Sequence, residues 1–124
     1  MPSSFPYFLL AMVSLSLAGA QEPAIRLGMI GLDTSHVIAF TRILNDASRE
    51  DHVPGGKVVA AFKGGSEDVK ASYSRVDRFT QQLRDEFQVE IVYTIQALCE
   101  KVDAVLLESV DGRPHLEQAK PVIA

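Results

Sequence analysis

The chain has 124 residues, with 12 basic against 16 acidic side chains and a formal net charge of −4 at neutral pH. This mildly acidic balance lacks the basic footprint that nucleic acid or a polybasic membrane contact needs, so neither is expected as a partner. Cys99 is the only cysteine, which excludes an internal disulfide. Set in an apolar helical pattern beside Leu98, it reads as a buried inert thiol rather than a nucleophile.

From Phe5 to Ala20 the chain is uncharged and mostly Phe, Leu, Ala, Val and Met, and it closes on the small-x-small pattern Ala18-Gly19-Ala20. Residues 1–20 read as a secretory signal cut before Gln21, so the protein is expected to be exported, periplasmic or secreted. Met1-Pro2-Ser3-Ser4 offer no Lys or Arg, and a membrane anchor is the rival reading, because the apolar run stands at the short limit of the ~17–25 residues that span a bilayer. The residue directly after Ala20 is Gln21 and not a cysteine, and no Arg-Arg pair precedes the run, against a lipid anchor and against the twin-arginine route. No stable membrane partner is expected.

After the leader, strand and helix patterns alternate. Ile25 to Ile30 is a first strand that ends at Gly31. Thr34 to Leu44 follows as a helix with Val37, Phe40 and Leu44 on one face, capped by Asp33, Thr34 or Ser35. A polar loop from Asn45 ends in Pro54-Gly55-Gly56. Lys57 to Phe62 then has the unbroken apolar run of a strand buried on both sides, and the turn Lys63-Gly64-Gly65-Ser66 comes after it. Val76, Phe79, Leu83 and Phe87 form the stripe of a helix that faces a sheet. Val89 to Tyr93 is a third strand, Thr94 caps a short helix through Ile95, Leu98 and Cys99, and Asp103 to Glu108 is a fourth strand. The turn Ser109 to Arg113 leads into a last helical segment that opens at Pro114.

Strands separated by helices predict right-handed crossovers and a parallel sheet: an α/β, doubly wound arrangement whose first four strands stand in the order 3-2-1-4. Ligands of such sheets sit outside the carboxyl ends of the strands, at the switch point beside the first strand. Three turns would line that crevice: Gly31 to His36, Lys63 to Ser66, and Ser109 to His115.

The first of these turns stands where a dinucleotide fold has G-x-G-x-x-G, with glycines for the tight turn and for close approach to a pyrophosphate held at the head of a helix. Only Gly31 is retained; Asp33 and His36 stand at the second and third glycine positions. The Asp33 carboxylate would accept bonds from the first helical amides and take the place of a phosphate, whereas Thr34 and Ser35 would still donate hydroxyl bonds to one. Helix capping, altered nucleotide binding and a catalytic or metal role are the open readings of Asp33, and glycine at this position is expected to strengthen binding. Lys63 with Gly64, Gly65 and Ser66 replaces the acidic residue that usually holds a ribose 2′-hydroxyl, which favours NADP over NAD; the plain alternative is a surface lysine in a solvent turn. Glu108 and Ser109 would line the nicotinamide side, and Arg113 is either a phosphate contact or an exposed cation. His36 and His115 are read as local hydrogen-bonding residues before any acid-base or metal role, because no clustered His/Cys spacing supports zinc. His52, beside Asp51, is expected at the surface.

Ile25 to Gly31, the segment Thr94-Ile95-Gln96-Ala97-Leu98 ahead of Val102-Asp103-Ala104-Val105, and His115 opening the helix after the fourth strand resemble the N-terminal, Rossmann-like domain of Gfo/Idh/MocA oxidoreductases, the family of glucose-fructose oxidoreductase and inositol dehydrogenase. The likeness covers Ile25 to Ala124. It implies a dinucleotide domain over 21–124, followed by a larger domain with the sugar or polyol pocket. It also implies a catalytic lysine in a Glu-Lys-Pro type motif on the strand after the last helix seen here. The chain stops at Pro121-Val122-Ile123-Ala124, so that lysine and the substrate domain are expected to be absent, Lys120 is not their stand-in, and the sequence is expected to be an incomplete product or a fragment. Homo-oligomer formation by the full-length protein is left open. The competing reading is a non-catalytic binding or structural domain of the same fold whose cofactor site has decayed.

Overall fold

The computed structural model describes Met1 and residues 22–124, so the expected leader and its cleavage site fall outside the described residues. Ile25–Ile30 forms strand β1, His36–Asn45 helix α1, Gly56–Phe62 strand β2, Lys70–Tyr73 the single turn α2, and Val76–Phe87 helix α3. Glu90–Val92 follows as β3, Ile95–Cys99 as α4, Ala104–Leu107 as β4 and His115–Ile123 as α5. All four strands are parallel and stand in the order β3-β2-β1-β4, the arrangement expected from the alternating pattern.

The sheet divides the core in two: alternation puts Met29 and Ile30 on opposite faces, and the extra residue in β2 at the register shift lets Val58 and Ala61 share one face. Met29, Val58 and Ala61 point to the face covered by α1 and α3, where they meet Val37, Ile38, Phe79 and Leu83. Ile30 and Ala60 point to the opposite face and pack with Val92 and Leu98, beneath α4 and α5. Gly28 serves this second layer, because a Cβ there would stand 3.0 Å from Leu98 Cδ1 and 3.1 Å from Val102 Cγ2. The β1–β2 register shifts between Leu27 and Gly28. Nearby, the Asn45 side chain donates to Val58 O and accepts from Val58 N, both at 2.8 Å, which pins the end of α1 to β2.

Several boundaries differ from the sequence reading for local reasons. Thr34 lies ahead of α1 rather than within it, in a turn where its Oγ1 accepts from His36 N at 3.3 Å. Helix α3 carries the Val76, Phe79, Leu83, Phe87 stripe and ends with Gln88 in the left-handed region at φ 54°, closed by Val89 N donating to Leu83 O at 3.1 Å. Thr94 caps α4 as its spacing predicts, its side chain accepting from Ala97 N at 3.0 Å. The turn α2 has no counterpart in the sequence reading, since one turn is too short to show a period. His52 is half-buried rather than a surface residue, with Nδ1 2.9 Å from Ile43 O near the end of α1.

Candidate functional site

The turns that follow β1, β2 and β4 meet at the carboxyl ends of the strands. Gly31 N donates to Phe62 O at 3.1 Å, Leu32 N to Lys63 O at 2.8 Å, and Glu108 N to Ile30 O at 2.8 Å, so the strand ladders run on into the turns. Gly31 has φ +85°, and a Cβ there would lie 2.5 Å from both the Cα and the N of Ser109. Glycine is thus required twice, by its backbone conformation and by the close approach of the turn after β4.

Asp33 does not cap α1. Its side chain is wholly buried beneath the neighbouring turns, where one carboxylate oxygen accepts from Ser72 Oγ at 2.6 Å and the other from Val110 N at 3.1 Å. Ser35, at the cap position, makes no capping bond through its side chain. The capping expectation fails because Asp33 lies two residues ahead of the cap position, and two donors from distant parts of the chain take its carboxylate. One consequence concerns the head of α1: among the described residues, the amides of Asp33, Thr34 and Ser35 have no protein acceptor. Thr34 is buried, whereas Ser35 and His36 are exposed.

The network continues outward from Asp33. Ser72 Oγ accepts from Ser66 N at 2.7 Å, and Ser66 Oγ donates to Asp111 Oδ2 at 2.6 Å. Asp111 also accepts from Arg113, and the Arg113 guanidinium reaches Asp68. The Arg113 guanidinium, together with the Ser66 hydroxyl, holds the Asp111 carboxyl well below the usual carboxylate range, and Arg113 likewise lowers that of Asp68. Arg113 is raised in turn, first by Asp68 and then by Asp111. It is therefore an exposed cation that is fully paired within the chain.

The remaining sequence candidates divide between local and crevice positions. Lys63 Nζ pairs with Asp77 Oδ1 at 2.5 Å. Gly64 and Gly65 carry the turn between two hollows. One, of about 260 Å³, is lined by Ser66, Tyr73 and Asp77; the other, of about 460 Å³, is lined by Phe62, Tyr93 and Gln118. His115 Nε2 stands 2.6 Å from Ser109 O, the local hydrogen bond expected of a histidine near a helix start. His36 Nδ1 lies 3.5 Å from Glu108 Oε2, so both histidines face the end of β4. Ser109 Oγ donates to Gln118 Oε1 at 2.9 Å, which ties this turn to α5. Among the described residues, no three His, Cys, Asp or Glu side chains gather at a common metal position.

Ser72, Asp68, Asp111, Tyr93 and Gln118 were not singled out from the sequence. The Asp111-Gly112 pair was legible as turn chemistry. Ser72 and Gln118 lie in helical segments with nothing to mark them.

No protein-family model and no curated protein sequence matches the chain. Among solved structures it is similar to myo-inositol dehydrogenase from Lactobacillus casei, a structure in complex with NAD(H) and myo-inositol, with a TM-score of 0.50 and 19% identity. The match covers 82% of this chain and 26% of that one. The fold is Rossmann-like. The likeness and the β3-β2-β1-β4 order agree on this, and the three turns occupy the end of the sheet where that fold places its ligand crevice.

Proposed function

We propose that the chain is the dinucleotide-binding part of an exported NAD(P)-dependent oxidoreductase of Gfo/Idh/MocA type, acting on a sugar or polyol. The observation that carries this reading is the turn at Gly31. Its positive φ lets the chain turn tightly beneath Ser109, and among the described residues the amides of Thr34 and Ser35 stand without protein acceptors at the head of α1. A helix start with open amides favours an anion, and in this fold the anion is a pyrophosphate. The bound cofactor would supply hydride transfer at its nicotinamide. The residues of this chain would orient it, with Gly31, Thr34, Ser35, His36 and Arg113 at the pyrophosphate, Lys63, Gly64 and Ser66 toward the adenosine side, and Ser109 and His115 toward the nicotinamide side.

The chain spans about a quarter of the length of the dehydrogenase it resembles, so the substrate is proposed for the whole protein and not for these residues alone. That the neighbour holds NAD(H) and myo-inositol supports a dinucleotide and a polyol class. Lys63 favours NADP: a 2′-phosphate would replace the Asp77 carboxylate on its ammonium group, while a bare 2′-hydroxyl would leave that pair intact. Titration of the chain with NADP and with NAD by calorimetry is expected to give saturable binding, tighter for NADP. A flat response to both at millimolar ligand would end this reading. Export through a cleaved leader at 1–20 predicts an extracytoplasmic protein whose first residue is Gln21; N-terminal sequencing that finds Met1 retained contradicts it.

A specific observation favours the second reading, a non-catalytic Rossmann-like domain. The cations at the crevice, Lys63 and Arg113, are already paired with carboxylates, and Asp33 adds a buried one. The same calorimetry separates the two readings.

A further inference from the structure

Arg113 joins two turns that are not neighbours in the sheet. Its Nη1 and Nη2 donate to Asp68 Oδ2 and Oδ1 at 2.9 and 2.8 Å, while Nε and Nη2 donate to Asp111 at 3.0 and 2.8 Å. Ser66 Oγ adds a parallel link to Asp111 at 2.6 Å. Asp68 and Ser66 follow β2, Asp111 and Arg113 follow β4, and β1 runs between those strands. The bridge therefore links the turns that flank the end of β1, the position beside which a dinucleotide's pyrophosphate lies in this fold.

The two halves of the bridge differ in their surroundings. The Asp111 side chain is 9% exposed and is fixed by Ser66, whereas the Asp68 side chain is 68% exposed and, among the described residues, accepts hydrogen bonds from Arg113 alone. Asp111 thus holds the guanidinium in place from within, and Asp68 is a solvent-facing ligand on its outer edge. A guanidinium presents a fork of donors that fits a carboxylate and a phosphate alike, so one can be exchanged for the other.

We propose that Arg113 is an anion-exchanging clasp: in the free chain it is closed on Asp68 over the crevice, and on binding it releases Asp68 and takes a phosphate oxygen of the dinucleotide, with Asp111 keeping it in position. This rests on the dinucleotide reading above and adds to it a built-in competitor, Asp68. The competitor is weak, because an exposed ion pair of this kind contributes little. Breaking it is therefore expected to tighten binding by about two- to fivefold. Losing the guanidinium is expected to weaken binding by about tenfold, as for a charge-assisted hydrogen bond.

The test is a cycle of dinucleotide titrations on the full chain, its Asp68→Asn and Arg113→Gln variants, and the double variant. Asp68→Asn should bind more tightly, Arg113→Gln more weakly, and the double variant like Arg113→Gln alone. That last equality distinguishes exchange on Arg113 from a general loss of negative charge near an anion. If Asp68→Asn binds no tighter, or if its gain persists without Arg113, the clasp is overturned while the dinucleotide reading stands. If no form binds either dinucleotide, that reading fails by itself, and inorganic pyrophosphate then decides the clasp through the Arg113 Nε–H resonance. A shift on pyrophosphate addition that is larger in Asp68→Asn supports exchange, and an unmoved resonance overturns it.

Discussion

Replacing Asp33 with alanine is expected to weaken the fold more than it helps any ligand. The carboxylate is wholly buried and satisfies Ser72 Oγ and Val110 N, which belong to α2 and to the turn after β4. A hydrogen bond to a charged acceptor contributes about 1.5–3 kcal/mol, and an orphaned buried donor costs about 1–3 kcal/mol. Water can reach Val110, which is exposed, and alanine removes the cost of burying a carboxylate, so a net loss of about 2–4 kcal/mol follows. Against a total stability of about 5–15 kcal/mol this is a large fraction. In urea, followed by circular dichroism, a slope of about 1.5 kcal/mol/M converts it to a fall in midpoint of about 1.3–2.7 M. Asp33→Asn keeps an acceptor for Val110 and should lose less than half as much. A midpoint shift under about 0.3 M for the alanine variant, well inside the range an ordinary surface change produces, would refute the strut role. The geometry also reverses an expectation drawn from the fingerprint alone: Asp33→Gly should bind dinucleotide no more tightly than the natural sequence, because it dismantles the turns that shape the crevice.

Gly31→Ala should be severe, because it combines a strained positive φ, at about 1–3 kcal/mol, with overpacking against the Ser109 backbone, at about 1–3 kcal/mol. A thermal midpoint within a degree or two of the natural chain would contradict it. At the opposite end of the sheet, Arg26 Nη2 and Asp103 Oδ1 pair at 2.7 Å, and the Arg26 side chain and amide hold the Asp103 carboxyl down at about 2. With the folded value depressed below the unfolded value of about 3.9, the pair stabilises fully above that pH and loses its effect as pH falls toward 2. The stability gap between the natural chain and Asp103→Asn should therefore close between pH 4 and pH 2 and be flat above pH 5, as followed by urea midpoints; a gap independent of pH would refute the pairing.

What the sequence made legible was whatever rests on local pattern. The unbroken run Val58 to Phe62, the stripe from Val76 to Phe87 and the Thr94 cap each carry their own signal, and right-handed crossovers then leave little choice of strand order. Gly31 was legible as well, because its place after an apolar strand already implies a turn. The site was less so, because its partners are far apart in the chain. Asp33 takes its two donors from residues 39 and 77 positions away, and Arg113 finds Asp68 at a distance of 45. A residue two places past the first glycine looks like a helix cap until those partners are known. Ser72, in a helix of four residues, offered no period at all.

The central claim is that a dinucleotide binds across the turns that meet at Gly31. Amide chemical-shift mapping of the 15N-labelled chain during titration with NADP and NAD tests it most directly. Saturable shifts concentrated at Gly31 to His36, Lys63 to Ser66 and Ser109 to His115 are the predicted result. An unchanged spectrum at millimolar ligand, or shifts confined to residues away from these turns, would contradict it.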